Sequence, residues 1–379
     1  MRFPRLFKAS LTALIVLAFC LPASAAINLY DTDGTTFSVD GYFNVFYANS
    51  KSNNADLTQS RVKMGFLPNT IGFNFGKQTG NLKLGGRSSF WVTINDSDSS
   101  AATATAIDVR QFYATVDGPF GQVLLGKDFG LFGRSNIFKD EILQGFGRTG
   151  DLAGPNTTGV SLGNINSGYP YAAPTAQITY RTPDMRGFKL AVGIFDPARN
   201  GATSVQEKAP RFEAEANFDK TFGKVAVSAW VNGVTQSSQS NTPGVDNYDA
   251  NGIGYGLNGK VAGFSLTASG FSGKGIGAFG ANLANALHGA DNRDTKGYLV
   301  QGSYTIDKIR VAGSYGKSTY DAIGTTPKFE DKAYIGAVFY SLNSNLTLEA
   351  EYNVEKYTDT AFGSDEKIST LALGAIVTF

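Results

Sequence analysis

The chain has 379 residues, with 33 Lys+Arg against 32 Asp+Glu, one histidine and one cysteine. That balance gives no electrostatic case for binding nucleic acid, and the chain has no cysteine cluster, phosphate loop or haem motif. Forty-five glycines, 28 phenylalanines and 17 tyrosines beside only 12 prolines point to an all-β chain with many turns. No linker, charge block or low-complexity stretch marks a boundary, so a single domain is expected despite the length.

Met1 to Ala25 reads as a processing segment. Arg2, Arg5 and Lys8 form a basic start, Leu11 to Leu21 an apolar core, and Ala23-Ser24-Ala25 a small-x-small cleavage site. The apolar core is too short to span a bilayer, and Phe19 before Cys20 does not suit a lipoprotein. Cleavage after Ala25 removes the only cysteine and leaves 30 Lys+Arg against 32 Asp+Glu, a net charge near −2. Past this segment, no apolar run is long enough for a transmembrane helix.

Short alternating runs then follow one another. Phe37, Val39, Phe43, Val45 and Tyr47 share one face, with Ser38, Asp40 and Asn44 on the other. Val62, Met64 and Phe66 oppose Arg61 and Lys63, and the pattern resumes after Pro68 with Ile71, Phe73 and Phe75. Leu82, Leu84, Phe90, Val92 and Ile94 oppose Lys83, Arg87 and Thr93. Ile107 to Asp117 is less clean, because Val109 and Tyr113 compete with Phe112 and Val116. Gln122 to Lys127 leads into a long irregular stretch. Beyond it come runs centred on Ile178, Leu190, Ala214, Val227, Tyr255, Leu266, Val300 and Val311. A stripe of Ala333, Ile335, Ala337 and Phe339 is followed by one of Leu346, Leu348, Ala350, Tyr352 and Val354. The last is Leu371, Leu373, Ala375, Val377 and Phe379.

This makes sixteen runs, and the connections between them alternate between tight turns and long loops. Short turns on one rim and long loops on the other predict a transmembrane antiparallel β-barrel of 16 strands, occupying residues 26–379. In hydrocarbon an unpaired backbone amide costs several kcal/mol, so strands can span only if they close on themselves. A soluble all-β protein with one buried face would alternate too. Here the polar faces carry many Arg, Lys and Glu, which suits a water-filled lumen, while Val, Leu, Ile, Phe and Tyr cover the other face.

The rhythm stops between Gly126 and Pro174. Phe129, Leu131, Phe132, Ile137, Phe138, Ile142, Leu143 and Phe146 give this stretch too much apolar surface for a solvated coil. Ile137 to Leu143 keeps a helix-like spacing. The stretch is expected to fold back onto its own protein, and in a barrel the available surface is the inside wall.

The chain resembles the trimeric 16-stranded general porins of Gram-negative outer membranes. The resemblance rests on Phe37-Ser-Val-Asp-Gly-Tyr-Phe-Asn-Val in the first strand, the terminal Leu373-Gly-Ala-Ile-Val-Thr-Phe379, and the long third outward loop. The Pro-Glu-Phe-Gly-Gly loop signature of enteric porins is absent, and Phe129-Gly130 and Phe146-Gly147 only echo it. The resemblance implies an outer-membrane homotrimer passing small hydrophilic solutes and ions, in contact with membrane lipid. It also implies that Phe379 is read by the barrel assembly machinery. Residues 128–174 would form a constriction loop. Its acidic edge would be Asp128, Asp140, Glu141 and Asp151, set against a basic wall of Arg61, Lys63, Lys83, Arg87 and Arg110.

No cofactor, metal site or enzymatic activity is expected. His288 stands alone in a long outer connection, and a lone loop histidine reads as solvated. The pairs Glu213/Glu215 and Glu349/Glu351 read as charged lumen wall rather than acid–base machinery. Trp91 and Trp230 have inward parity but do not make a sugar track. The function classes left open are a passive general channel, a solute-selective channel, and a structural or adhesive surface barrel.

Overall fold

The computed structural model describes residues 26–53, 57–95, 107–148, 161–198, 205–241, 243, 247–276, 292–324, 327–358 and 365–379. The processing segment, Asp151 and His288 lie outside these residues.

The strands form one antiparallel ring of sixteen staves. They are β1 (Thr35–Ser52), β2 in two pieces (Thr58–Lys63 and Asn69–Thr79), β3 (Leu82–Val92), β4 (Asp108–Gly118), β5 (Gly121–Phe129), β6 (Pro174–Arg181), β7 (Phe188–Phe195) and β8 (Arg211–Phe222). β9 (Val225–Ser240), β10 (Tyr248–Val261), β11 (Phe264–Lys274), β12 (Asp294–Ile306), β13 (Ile309–Tyr320), β14 (Phe329–Ser341), β15 (Leu346–Thr358) and β16 (Glu366–Thr378) complete it. Each strand pairs with its sequence neighbours, and β16 closes on β1 from Ile368↔Ser52 to Thr378↔Tyr42. Closure leaves no open sheet edge between the last strand and the first, which is the condition for crossing lipid with strands.

An N-terminal strand (Ile27–Thr32) pairs with the start of β1, turning at Asp33-Gly34, both with positive φ. It takes up the edge of β1 beyond the point where β16 ends. The irregular gap in the ladder falls within β2. Pro68 has no N–H to offer a neighbour, and residues 64–68 leave the sheet. Met64 N–H instead donates to Asn95 Oδ1 (2.9 Å), Gly65 N–H to Asn44 Oδ1 (2.6 Å) and Phe66 N–H to Gly145 O (3.1 Å). Met64 and Phe66 are therefore buried rather than continuing the outer stripe begun by Val62, as their alternation had suggested.

The unclear parity of β4 has a local cause. The β3–β4 register shifts between Ser89 and Phe90, so Arg110 is an extra residue against its partner strand. The bulge turns Arg110 onto the Trp91 ring, 5.1 Å from its centroid. On β14 the expected outer stripe is inverted. Ala333, Ile335, Ala337 and Phe339 are buried on the inner face, while Tyr334, Val338 and Tyr340 face out. Both faces of that strand are apolar, so alternation alone could not tell them apart.

Exposed large apolar residues cover the outer face, with Leu266 63% and Phe264 58% accessible. The main apolar cluster lies on the inner side. It joins Phe46, Leu299, Ala312, Ile335, Ala337, Phe339 and Ile376 of the strands to Ile137, Ile142, Phe146, Ile165 and Tyr169 of the segment between β5 and β6.

Candidate pore-lining site

Residues 130–148 and 161–173 connect β5 to β6. Their apolar side chains are buried as a group, and a short helix forms at Arg134–Phe138, just ahead of the expected Ile137 to Leu143. Backbone amides of this segment donate to carboxylates on strands from different parts of the ring. Leu131 and Phe132 N–H reach Glu213 Oε2 on β8 (2.6 and 2.9 Å), and Ser135 N–H reaches Glu215 Oε2 (3.2 Å). Phe146 and Gly147 N–H reach Glu351 on β15 (3.0 and 2.8 Å), and Asn353 Nδ2 returns a bond to Gly147 O (2.7 Å). A buried carboxylate accepting backbone N–H groups satisfies both partners at once. Glu213, Glu215 and Glu351 thus hold the segment to the wall.

Arg148 provides the other main anchor. Its buried guanidinium pairs with Asp331 of β14 and Glu355 of β15, and it also donates to the carbonyls of Gly163 and Ile165. Burial pulls this guanidinium's pKa down, but the two carboxylates outweigh it and raise the value above the ordinary arginine range. The returning half passes over β13, where Gly168 N–H donates to Ser318 Oγ (3.0 Å) and Asn164 Oδ1 accepts from Ser314 Oγ (3.1 Å). Gly316 lies directly beneath it. A Cβ there would stand 1.7 Å from Ser167 O, so only glycine admits this approach.

The expected acidic residues are dispersed. Asp128 is buried, pairs with Arg134 (3.1 Å) and accepts from Gln111 Nε2 (2.9 Å). Asp140 turns back into its own segment and accepts from Ile142 N–H (2.9 Å), Asn164 Nδ2 (2.8 Å) and Tyr169 OH (2.6 Å). Burial pushes its carboxyl pKa up, and these hydrogen bonds offset only part of that rise. Glu141 reaches the wall, accepting from Ser303 Oγ (3.0 Å) and lying 3.5 Å from Arg310.

The basic residues have partners of their own on the wall. Arg87 forks onto Asp40 (2.6 and 3.0 Å) and donates to Asn74 and Gln111. Arg110 pairs with Asp108 (2.7 Å) and donates to Tyr171 OH (3.0 Å). Lys63 is fully buried, 5.8 Å from the Phe146 ring centroid. Arg61 is half-buried on the same face, and Lys83 stands opposite Asp117 in the ladder. The structure therefore joins Arg110 and Lys63 to the segment, but among the described residues it does not set Asp128, Asp140 or Glu141 opposite this basic row. Sequence reasoning missed Arg148, Arg134 and Arg310. No spacing distinguishes Arg148 and Arg310, because their carboxylate partners lie far away in the chain, and nothing in the irregular stretch marks Arg134 as the partner of nearby Asp128. A pocket lined by Asp40, Tyr42, Leu67, Pro68, Thr70, Arg87 and Trp91 opens beside β1–β3.

At the chain's end, Phe379 exchanges backbone hydrogen bonds with Gly41 (2.8 and 3.1 Å) and stacks on Phe43 at 5.8 Å.

A family model described as Gram-negative porin matches residues 10–360. Porin-like protein H of Photobacterium profundum is 24% identical over 94% of this chain and 97% of its own length. Among solved structures, an anion-selective porin from Comamonas acidovorans has a TM-score of 0.68 at 15% identity, covering 91% of this chain and all of that one. OmpT of Vibrio cholerae in its trimer form has a TM-score of 0.57 at 17% identity, covering 92% of this chain and all of its own. With its closed sixteen-stranded barrel, apolar outer face and matched family model, the chain belongs to the Gram-negative porins and is an outer-membrane channel for passive diffusion.

Proposed function

We propose that residues 130–148 and 161–173 narrow this channel, and that solutes pass between them and the inner faces of β1–β6 with anions favoured over cations. One observation carries the reading. The segment bonds to inner side chains of β8, β9, β12, β13, β14 and β15, and to Phe66 within β2. A segment can touch so many staves of one ring only from within it. Among the described residues, its acids are then spent locally: Asp128 on Arg134, Asp140 on the segment's own donors, Glu141 on Arg310. The half-buried cations Arg61, Lys83, Arg87, Arg110 and Arg181 remain on the facing wall with Asp40, Asp108 and Asp117. A lumen with excess positive charge raises the local anion concentration. The fold likeness to a porin described as anion-selective agrees with this. By family, the protein assembles as a homotrimer in the outer membrane, delivered by a cleaved signal peptide and folded by the barrel assembly machinery.

Planar-bilayer recording tests this. Deleting Ile137 to Thr149 should raise single-channel conductance severalfold, because conductance depends on the narrowest section. In a KCl gradient the intact protein should give a reversal potential favouring chloride. Unchanged conductance in the deletion would place the constriction elsewhere, and a potassium preference would refute the charge argument.

A further inference from the structure

The outer face of β13–β16 near the long-loop rim carries a charge pattern that pore function does not use. Lys317 stands opposite Lys332, Lys332 opposite Lys356, and Lys356 opposite Lys367, so four lysines lie in direct register on four adjacent strands. They share the parity of the exposed outer residues, and Lys356 and Lys367 are themselves exposed. Like charges directly opposite on one sheet face repel. Adjacent strands are about 4.8 Å apart, so the row spans roughly 15 Å. Within the row, Glu330 is the neighbouring carboxylate, 3.0 Å from Lys317 and 3.1 Å from Lys332, and it also holds Lys328 at 3.0 Å. Asp365 precedes β16 at the same rim.

The height of the row identifies its surroundings. One pleat further from the rim, Tyr315 and Tyr334 face out with ring centroids 4.8 Å apart, and Tyr298 packs against Tyr315 at 5.8 Å. Lys356 Nζ lies 5.5 Å over the Tyr334 ring. Outward tyrosines mark the aromatic girdle at the membrane–water boundary, and the long-loop rim is the external one. The lysines therefore stand at headgroup level in the outer leaflet, where clustered ammonium groups suit anionic lipid.

We propose that Lys317, Lys332, Lys356 and Lys367 bind the phosphates of a phosphorylated lipid headgroup in the outer leaflet. The aromatic row beneath receives the start of its acyl chains. Phosphate oxygens between the lysines replace their mutual repulsion with charge-assisted hydrogen bonds. The site rests on the outward orientation of the barrel face and does not depend on the constriction.

The test uses the purified barrel in neutral detergent, titrated with lipid A, with dephosphorylated lipid A and with inorganic phosphate. Native mass spectrometry reads the bound fraction. Lipid A should bind the wild type at least tenfold more tightly than it binds the K317Q/K332Q/K356Q/K367Q variant, and more tightly than its dephosphorylated form binds. Glu330→Gln releases Lys317 and Lys332, so it should tighten binding severalfold, and this single variant decides the matter if the fourfold one does not fold. Equal binding by the fourfold variant, by the dephosphorylated lipid, or by wild type and Glu330→Gln would overturn the proposal. Full competition by millimolar phosphate would show a free-anion site instead. Disulfide crosslinking of Lys332→Cys to a second copy would show a subunit contact.

Discussion

Two adjacent loop acids, Asp140 and Glu141, have opposite fates. Asp140 is 6% exposed and receives three hydrogen bonds from its own segment, whereas Glu141 leaves the segment for Arg310. The sequence could not separate them, because each is simply a carboxylate mid-loop and the donors lie at Asn164, Tyr169 and Arg310. Neutralising Glu141 with Glu141→Gln should release Arg310 and move the reversal potential further toward chloride, less so at 1 M salt, where the Debye length is about 3 Å. Asp140→Asn should leave ion preference unchanged, since its charge is buried away from the ion path. Its effect should appear with pH. The folded carboxyl pKa is raised above 3.8, so its contribution to the docked loop is complete below that value and lost as pH rises through the raised one. Conductance of the wild type should therefore increase as pH rises above 3.8 through the raised value, and the Asp140→Asn profile should be flatter. A selectivity change in Asp140→Asn as large as that in Glu141→Gln would contradict this assignment.

At the scale of the strand, alternation read the barrel well wherever one face was polar. It failed where a strand serves two apolar neighbours or leaves the ladder. On β14, Ile335 and Phe339 face the loop while Tyr334 and Val338 face outward, and period-two patterning carries no sign that distinguishes them. The interruption at residues 64–68 depends on Asn44, Asn95 and Gly145, none of them near in sequence. The Arg110 bulge was visible only as a disturbed parity. The seam between the last and first strands was better marked, since the alternation ran to a terminal aromatic. Its detail came from the structure: a Cβ on Gly41 would meet the Phe379 ring at 2.3 Å. Gly41→Val should displace that ring and slow closure of β16 on β1. Less heat-modifiable, folded protein should then reach the membrane. Gly336, on the outer face of β14 with nothing within 4 Å of an added Cβ, provides the control. Normal folded levels in Gly41→Val would mean that the terminal ring need not seat on β1.

For the molecule as a whole, the ring and the segment between β5 and β6 are held by different interactions, so they should come apart separately. The ring depends on backbone ladders running from β1 around to β16. The segment depends on wall carboxylates: Glu213 on one side, Glu351, Glu355 and Asp331 on the other. Arg148 is where Asp331 and Glu355 converge, and it also clamps the returning half through Gly163 and Ile165. Arg148→Met would strand two buried carboxylates, and removing one partner of a buried ion pair costs about 3–5 kcal/mol. That cost falls on docking of the segment and not on the ladders. The variant should therefore still run as a folded, heat-modifiable barrel, yet show larger and noisier single-channel currents. The triple variant R148M/D331N/E355Q removes the stranded charges along with the cation and should recover quieter channels. If Arg148→Met instead unfolded the barrel outright, segment and ring would be one cooperative unit. If its currents matched the wild type, the anchor would lie with Glu213 and Glu351 alone.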